Sequence, residues 1–172
     1  MTYQFCTHCG NRLAAFDERG IPRRRCSECG IVHYRNPTVG VAVILLRDHR
    51  ILLTQRRYGD WCIPCGHVEY REDIETAARR ELQEETGLIC ELIRVYAVQS
   101  NFHDSEDNTV GVWYLGQEMG GSLSAGDDAM RAEFVDLSNI PDLAFPTDKV
   151  VIEQLTSTLQ QPSIASTQQF IQ

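Results

Sequence analysis

The chain has no apolar run near the roughly 18 residues that a membrane-spanning helix needs. The longest, over residues 39–46, has the length of a strand. Its first ten residues, MTYQFCTHCG, contain no apolar core of a secretory signal. Positive charge is in deficit. Sixteen Lys and Arg against 24 Asp and Glu give a net charge of −8, which argues against a broad nucleic-acid surface. It does not argue against a nucleotide substrate, because bound cations invert the local field. Cysteine is not scarce, but the count of 7 is odd and most fall in C-x-x-C pairs. That pattern disfavours a disulfide framework and points to metal ligation in a reducing compartment, so a cytoplasmic location is expected. A length of 172 residues fits one moderate domain with a small appendage.

The densest information lies in residues 66–88, GHVEYREDIETAARRELQEETGL. Residues 73–86 contain neither Gly nor Pro and are rich in Ala, Glu, Arg and Leu, which predicts a helix. Asp73 suits its N-cap and Gly87 its C-terminal stop. Ile74, Ala77, Ala78 and Leu82 form its apolar side. Glu81, Glu84 and Glu85 stand at i, i+3 and i+4, so they share one face and repel one another. A solvated surface tolerates that repulsion; so does a site where a divalent cation neutralises it. Carboxylates without imidazole or thiolate suit Mg²⁺ or Mn²⁺. Arg80, four residues before Glu84, can hold a carboxylate in place. A helix needing only solubility has no use for Gly66 and Glu72 at fixed offsets before it.

A second cluster lies at the N-terminus. Cys6-x-x-Cys9 and Cys26-x-x-Cys29 are sixteen residues apart, and each second cysteine is followed by glycine, Gly10 or Gly30. Four thiolates so spaced fit a tetrahedral structural Zn²⁺ site, and a segment of this length has too little core to fold without such a staple. The module is either a structural knob or, through Arg23-Arg24-Arg25, a contact surface for nucleic acid or protein. A third pair, in Trp61-Cys62-Ile63-Pro64-Cys65, resembles a thioredoxin motif in isolation. That chemistry needs a helix opening at the pair, whereas residues 66–70 alternate like a strand and the helix begins only after Glu72. The pair reads as a loop leading into the helix. Cys90 reads as a small buried apolar residue.

Along the chain, residues 1–35 are the zinc module, 36–160 the main domain and 161–172 a Gln/Ser/Thr-rich loose tail. Strands are expected over 39–46, 51–55, 89–98, 110–115 and 133–137, with a polar loop over 101–108. A last helix is capped by Thr147 and runs to about residue 159. Strands flanking two helices predict an α/β fold.

The window resembles the Nudix box. That pattern is Gly, five residues, Glu, seven residues, Arg-Glu, an aliphatic, one residue, Glu-Glu, one residue, Gly and an aliphatic. All nine specified positions match here, a coincidence on the order of 10⁻⁹ at average residue frequencies. The resemblance implies an α/β/α sandwich with a mixed sheet, preceded by a zinc ribbon. It implies hydrolysis of a nucleoside diphosphate linked to another group. By position, Glu84 and Glu85 resemble the main metal ligands and Glu81 a ligand or a positioner of the attacking water. Gly66 would offer its carbonyl, with Glu72 and Arg80 as supports.

Pro64-Cys65-Gly66 replaces the usual Pro-Gly-Gly of such proteins, and Arg71 stands where glycine usually precedes the first Glu. The zinc cluster, Tyr34-x-Asn36-Pro37 and Leu143-Ala144-Phe145 are similar to a group that includes plant FAD and ADP-ribose pyrophosphatases, which makes FAD or ADP-ribose the expected substrate and a homodimer the expected assembly. NADH pyrophosphatases also carry a zinc ribbon, but Gln99-Ser100-Asn101-Phe102 lacks the Pro and Trp of their usual motif. A nucleoside triphosphate pyrophosphohydrolase is a further alternative. A nucleotide-sensing regulator is the alternative of another class, and the intact carboxylate set counts against it. Arg56, Arg57, Tyr58 and Trp61 are candidates for substrate contact, with core packing the other role for Trp61. Asp127 and Asp128 are either base or binding residues, or a solvated turn.

Overall fold

The computed structural model describes residues 3–102 and 108–160. The expected tail over 161–172 lies outside the described residues. The chain forms two compact units, Met1–Pro37 and Thr38–Gln172.

The first unit has almost nothing to bury. Its strands β1 (Leu13–Glu18), β2 (Ile21–Cys26) and β3 (Val32–His33) form one antiparallel sheet in that order. Among its described residues the buried apolar ones are Cys6, Leu13 and Cys26 alone, far too few to offset the entropy of ordering the unit. Gly10 and Gly30, at φ 74°, turn the two cysteine knuckles back so that their amides donate to the carbonyls of Cys6 and Cys26.

The second unit is built on β4 (Thr38–Ile44). Val41 and Val43 point to one face of the sheet, Ala42 and Ile44 to the other, and all four are buried. A nearly continuous apolar run is what a strand covered on both faces requires. Next come β5 (Leu46–Arg47), β6 (Arg50–Gln55), β7 (Trp61–Cys62), β8 (Cys65–His67) and α1 (Ile74–Thr86). The remainder is β9 (Leu88–Asn101), β10 (Thr109–Gly121), β11 (Arg131–Asp136) and α2 (Pro146–Gln160). One sheet runs β8-β4-β10-β9 and the other β11-β6-β5, with β7 on β6. The β4–β10 pair is parallel and its neighbours antiparallel, so the sheet is mixed. Ala77, Ala78 and Leu82 of α1 pack with Val41, Val43 and Leu52 on one side. Val151, Ile152 and Leu155 of α2 pack with Ala42, Ile44 and Leu53 on the other. The result is the expected α/β/α sandwich.

Asp73 caps α1, its Oδ1 accepting from the amides of Glu75 and Thr76 at 3.1 Å. Gly87 ends the helix at φ 69°, its N–H donating to the Gln83 carbonyl. Three details differ from the expectations. The strand expected over 66–70 is β8, Cys65–His67, because pairing with β4 stops at Gly40–His67. The strands β9 and β10 run on to 14 and 13 residues, their register slipping at three bulges that no alternation in the sequence announces. The last helix starts at Pro146, which suits a first helical position, rather than after a Thr147 cap. Among the described residues no helix is long and apolar enough to cross a membrane.

Candidate active site

Glu85 is buried on the packed side of α1 with Ala78 and Leu82, and with Glu81 it lies along the edge of that side that β8 approaches, while Glu84 stands outside it. Arg80 ties the outer carboxylates together. Its Nε and Nη2 donate to the two Glu72 oxygens at 2.7 and 2.8 Å. Its Nη1 donates to Glu84 at 2.9 Å and lies 2.8 Å from Glu81. Nη2 also reaches the His67 carbonyl at 3.1 Å. Glu72 accepts in addition from the Glu69 amide. The Arg80 guanidinium holds the Glu72 carboxyl far below the usual carboxylate range, down to about 2, so Glu72 stays ionised as a brace.

Glu85 is the inner member. It is only 5% exposed, and its Oε2 accepts the Cys65 amide at 2.9 Å. Burial, with the nearby charges of Cys62, Asp128 and Glu81, pushes its pKa up to about 9. Burial first, then Glu84 and Asp127, also pushes Glu81 up despite Arg80. Carboxylates held this far from comfort without a counter-ion are suited to a divalent cation. Gly66 fits the same reading, since a Cβ there would run into the Glu81 carboxylate. The backbone of β8 thus lies against Glu81 and Glu85, and the chemistry of these hard oxygen donors suits Mg²⁺ or Mn²⁺. Arg71, just ahead of Glu72, is held at φ 66°. That left-handed backbone favours glycine, which accounts physically for the glycine usual there.

The other candidates sit nearby. Arg56, Arg57, Tyr58 and Asp128 line a pocket of about 230 Å³. The Arg56 guanidinium lies between the rings of Tyr58 and Phe145, 5.9 and 5.1 Å from their centroids, and pairs with Asp60 at 3.5 Å. Asp127 takes a positive φ of 51° at the turn before β11, close enough for its charge to bear on Glu81. Trp61 is half-buried against the α2-side core, and its backbone bonds with Asp142 and Ala144 pin the 142–145 segment to β7. Cys62 and Cys65 lie on β7 and β8, and no helix opens at either one.

Asp148 carries a role that the sequence did not signal. It is 2% exposed; Oδ2 accepts the Ile63 amide at 3.0 Å and Oδ1 the Trp113 Nε1 at 2.9 Å. Burial pushes it up to about 6. It ties α2 to Ile63, between β7 and β8, and to Trp113 of β10. In the first unit, the sulfurs of Cys6, Cys9, Cys26 and Cys29 lie within 4.8 Å of one another. They could hold a zinc ion. His33 points Nε2 at the Cys6 sulfur, 3.4 Å away.

An α/β/α sandwich that presents a braced glutamate helix against the Gly66 strand has the donor set of a metal-dependent hydrolase. The family model described as NUDIX domain matches residues 36–155. The chain therefore belongs to the Nudix hydrolase family, whose members generally use divalent metals such as Mg²⁺. It is similar to an ADP-ribose pyrophosphatase of Methanocaldococcus jannaschii, 39% identical over 123 residues, or 69% of this chain and 73% of the relative. It is also similar to the NAD-capped RNA hydrolase NudC of Vibrio atlanticus, 26% identical over 94% of this chain; the chain spans 61% of that relative's length. Among solved structures, a NUDIX hydrolase from Nitrosomonas europaea superposes with a TM-score of 0.80 at 28% identity, covering 93% of this chain and 95% of the other.

Proposed function

We propose that the chain hydrolyses the diphosphate of a nucleoside diphosphate linked to a second group, with ADP-ribose or FAD as substrate and AMP as one product. The observation that carries this reading is the inner carboxylate Glu85, buried, anchored on the Cys65 amide and flanked by Glu81 and the Gly66 backbone. Glu81, Glu84, Glu85 and the Gly66 carbonyl would hold Mg²⁺ or Mn²⁺, which when bound acidifies water and neutralises charge on the phosphates. Arg80, braced by Glu72, holds Glu81 and Glu84, and the Cys65 amide holds Glu85. Glu81, raised and partly buried, takes a proton from the attacking water; Asp127 and Asp128 are the nearby carboxylates that could share the task. Arg57 and Arg56, lining the pocket with Tyr58, meet the phosphates and the nucleoside. The four N-terminal cysteines hold a structural Zn²⁺.

The relative named ADP-ribose pyrophosphatase supports this substrate class. NADH is the second reading, favoured by the NudC match, which covers 94% of this chain. A chromatographic panel of ADP-ribose, FAD, NADH and nucleoside triphosphates with Mg²⁺ ranks these. The expected result is AMP from ADP-ribose or FAD at the highest kcat/KM. Faster turnover of NADH would favour the second reading, and binding without turnover of any substrate would favour a sensor.

A further inference from the structure

The net charge of −8 is a sum over two unlike parts. Residues 1–37 hold six Arg, no Lys and three acidic residues, a balance of +3; the remaining 135 residues therefore carry −11. The small unit is thus cationic in an acidic chain. Zinc bound by four thiolates removes two charges from its sum, but the two faces of the sheet separate these effects. Leu13 and Cys26 face each other across β1 and β2, and Arg24 pairs with His33, whose ring meets Cys6; that is the face of the cysteine cluster. By strand alternation, Phe16, Arg23, Arg25 and Val32 share the opposite face, and the Tyr34 ring joins it under the Arg23 guanidinium.

On that face aromatic rings and guanidinium groups alternate. Phe16 stands directly opposite Arg23 across the β1–β2 ladder. The Arg23 guanidinium lies over the Tyr34 ring, 4.7 Å from its centroid, and the Arg25 guanidinium over the Phe16 ring at 5.3 Å. Tyr34 is 53% exposed, and Arg25 is exposed. Rings and planar cations on a shallow sheet, with charge beside them, are what unstacked bases and their phosphates require. A strand of phosphates also supplies anionic charge to match the arginines of this face. The one carboxylate on this face, Glu18, pairs with Arg23 at 3.5 Å. It repels a phosphate but accepts a hydrogen bond from a ribose 2′-hydroxyl, which DNA lacks.

We propose that the outer face of the zinc unit, formed by Phe16, Arg23, Arg25 and Tyr34, binds single-stranded RNA by stacking and phosphate contact without reading its sequence. The proposal stands on the first unit alone and does not depend on the hydrolase reading.

The test is fluorescence anisotropy of a labelled single-stranded RNA of about ten nucleotides with the full, zinc-loaded chain. Saturable binding is expected that weakens about tenfold between roughly 50 and 200 mM salt, as two or three phosphate contacts predict. Phe16→Ala should weaken it between about fivefold and a hundredfold, the loss of one base–aromatic stack. Because Phe16 is partly covered, Phe16→Leu, which keeps the apolar bulk without the ring, should weaken binding while zinc content stays at one per chain. Arg23→Gln/Arg25→Gln should weaken binding and flatten the salt dependence. Absent binding, variants that bind like the wild type, equal affinity for DNA of the same sequence, or tighter capture of an acidic peptide would each overturn the proposal.

Discussion

Glu85→Gln is the sharpest perturbation of the proposed site, because it removes a charge and almost nothing else. The amide oxygen keeps the Cys65 N–H partner that Oε2 accepts at 2.9 Å. Burial pushes the Glu85 carboxyl up to about 9, so in the cation-free protein at neutral pH it is protonated and the amide is nearly its isostere. The cation-free variant should therefore unfold within about 1 kcal/mol of the wild type. With Mg²⁺ the two should part. At a hundred times Kd, a bound cation stabilises the folded wild type by about 2.7 kcal/mol, and most of that shift should be missing from the variant. In turnover, losing one ligand charge should cost at least a hundredfold in kcat, or about 2.7 kcal/mol of barrier. The assay is AMP release at saturating Mg²⁺ beside thermal unfolding with and without Mg²⁺. An unchanged kcat and an unchanged Mg²⁺-induced shift would refute the reasoning.

Three further predictions rest on the geometry of Arg80, Arg71 and Asp148. Arg80→Lys keeps the charge but cannot span Glu72, Glu81 and Glu84 together; kcat should fall about tenfold to a hundredfold with little change in KM, and a loss confined to KM would contradict the bracing role. Arg71→Gly relieves a left-handed backbone at φ 66° and should stabilise the fold by about 1 kcal/mol, read as a higher urea midpoint, whereas destabilisation would show that the Arg71 side chain matters more than its backbone. Asp148, pushed up to about 6 by burial, binds its proton more tightly when folded, so its contribution is full below pH about 4 and falls by about 3 kcal/mol as pH rises through 6. Asp148→Asn lacks that titration while losing an acceptor for Ile63 or Trp113, so its stability deficit against wild type should narrow from pH 4 to 7, and a constant deficit would argue against a buried, titrating Asp148.

Much of this site could be read from local sequence because its chemistry is local. The box carboxylates lie on one helix whose cap, Asp73, and stop, Gly87, are both short-range signals. The cysteine knuckles are likewise set by spacing and by two glycines. What escaped is long-range. Asp148 looks like any acidic residue in a first helical turn; its partners Ile63 and Trp113 are 85 and 35 residues away. The clasp of Arg56 between Tyr58 and Phe145 joins segments that only the fold brings together. The lengths of β9 and β10 escaped because bulges interrupt the alternation that announces a strand. The arginine run at 23–25 was legible, but that Arg23 and Arg25 share a face with Phe16 and Tyr34 depends on the register of β1, β2 and β3.

The central claim is cation-dependent cleavage of a diphosphate, and the most direct measurement follows ADP-ribose by chromatography with the wild-type chain, first in Mg²⁺, then after chelation, then after Mg²⁺ alone is restored. The account predicts AMP and ribose phosphate in equal amounts, lost on chelation and recovered with Mg²⁺. Cleavage that ignores chelation, or no AMP under any of the three conditions, would contradict it.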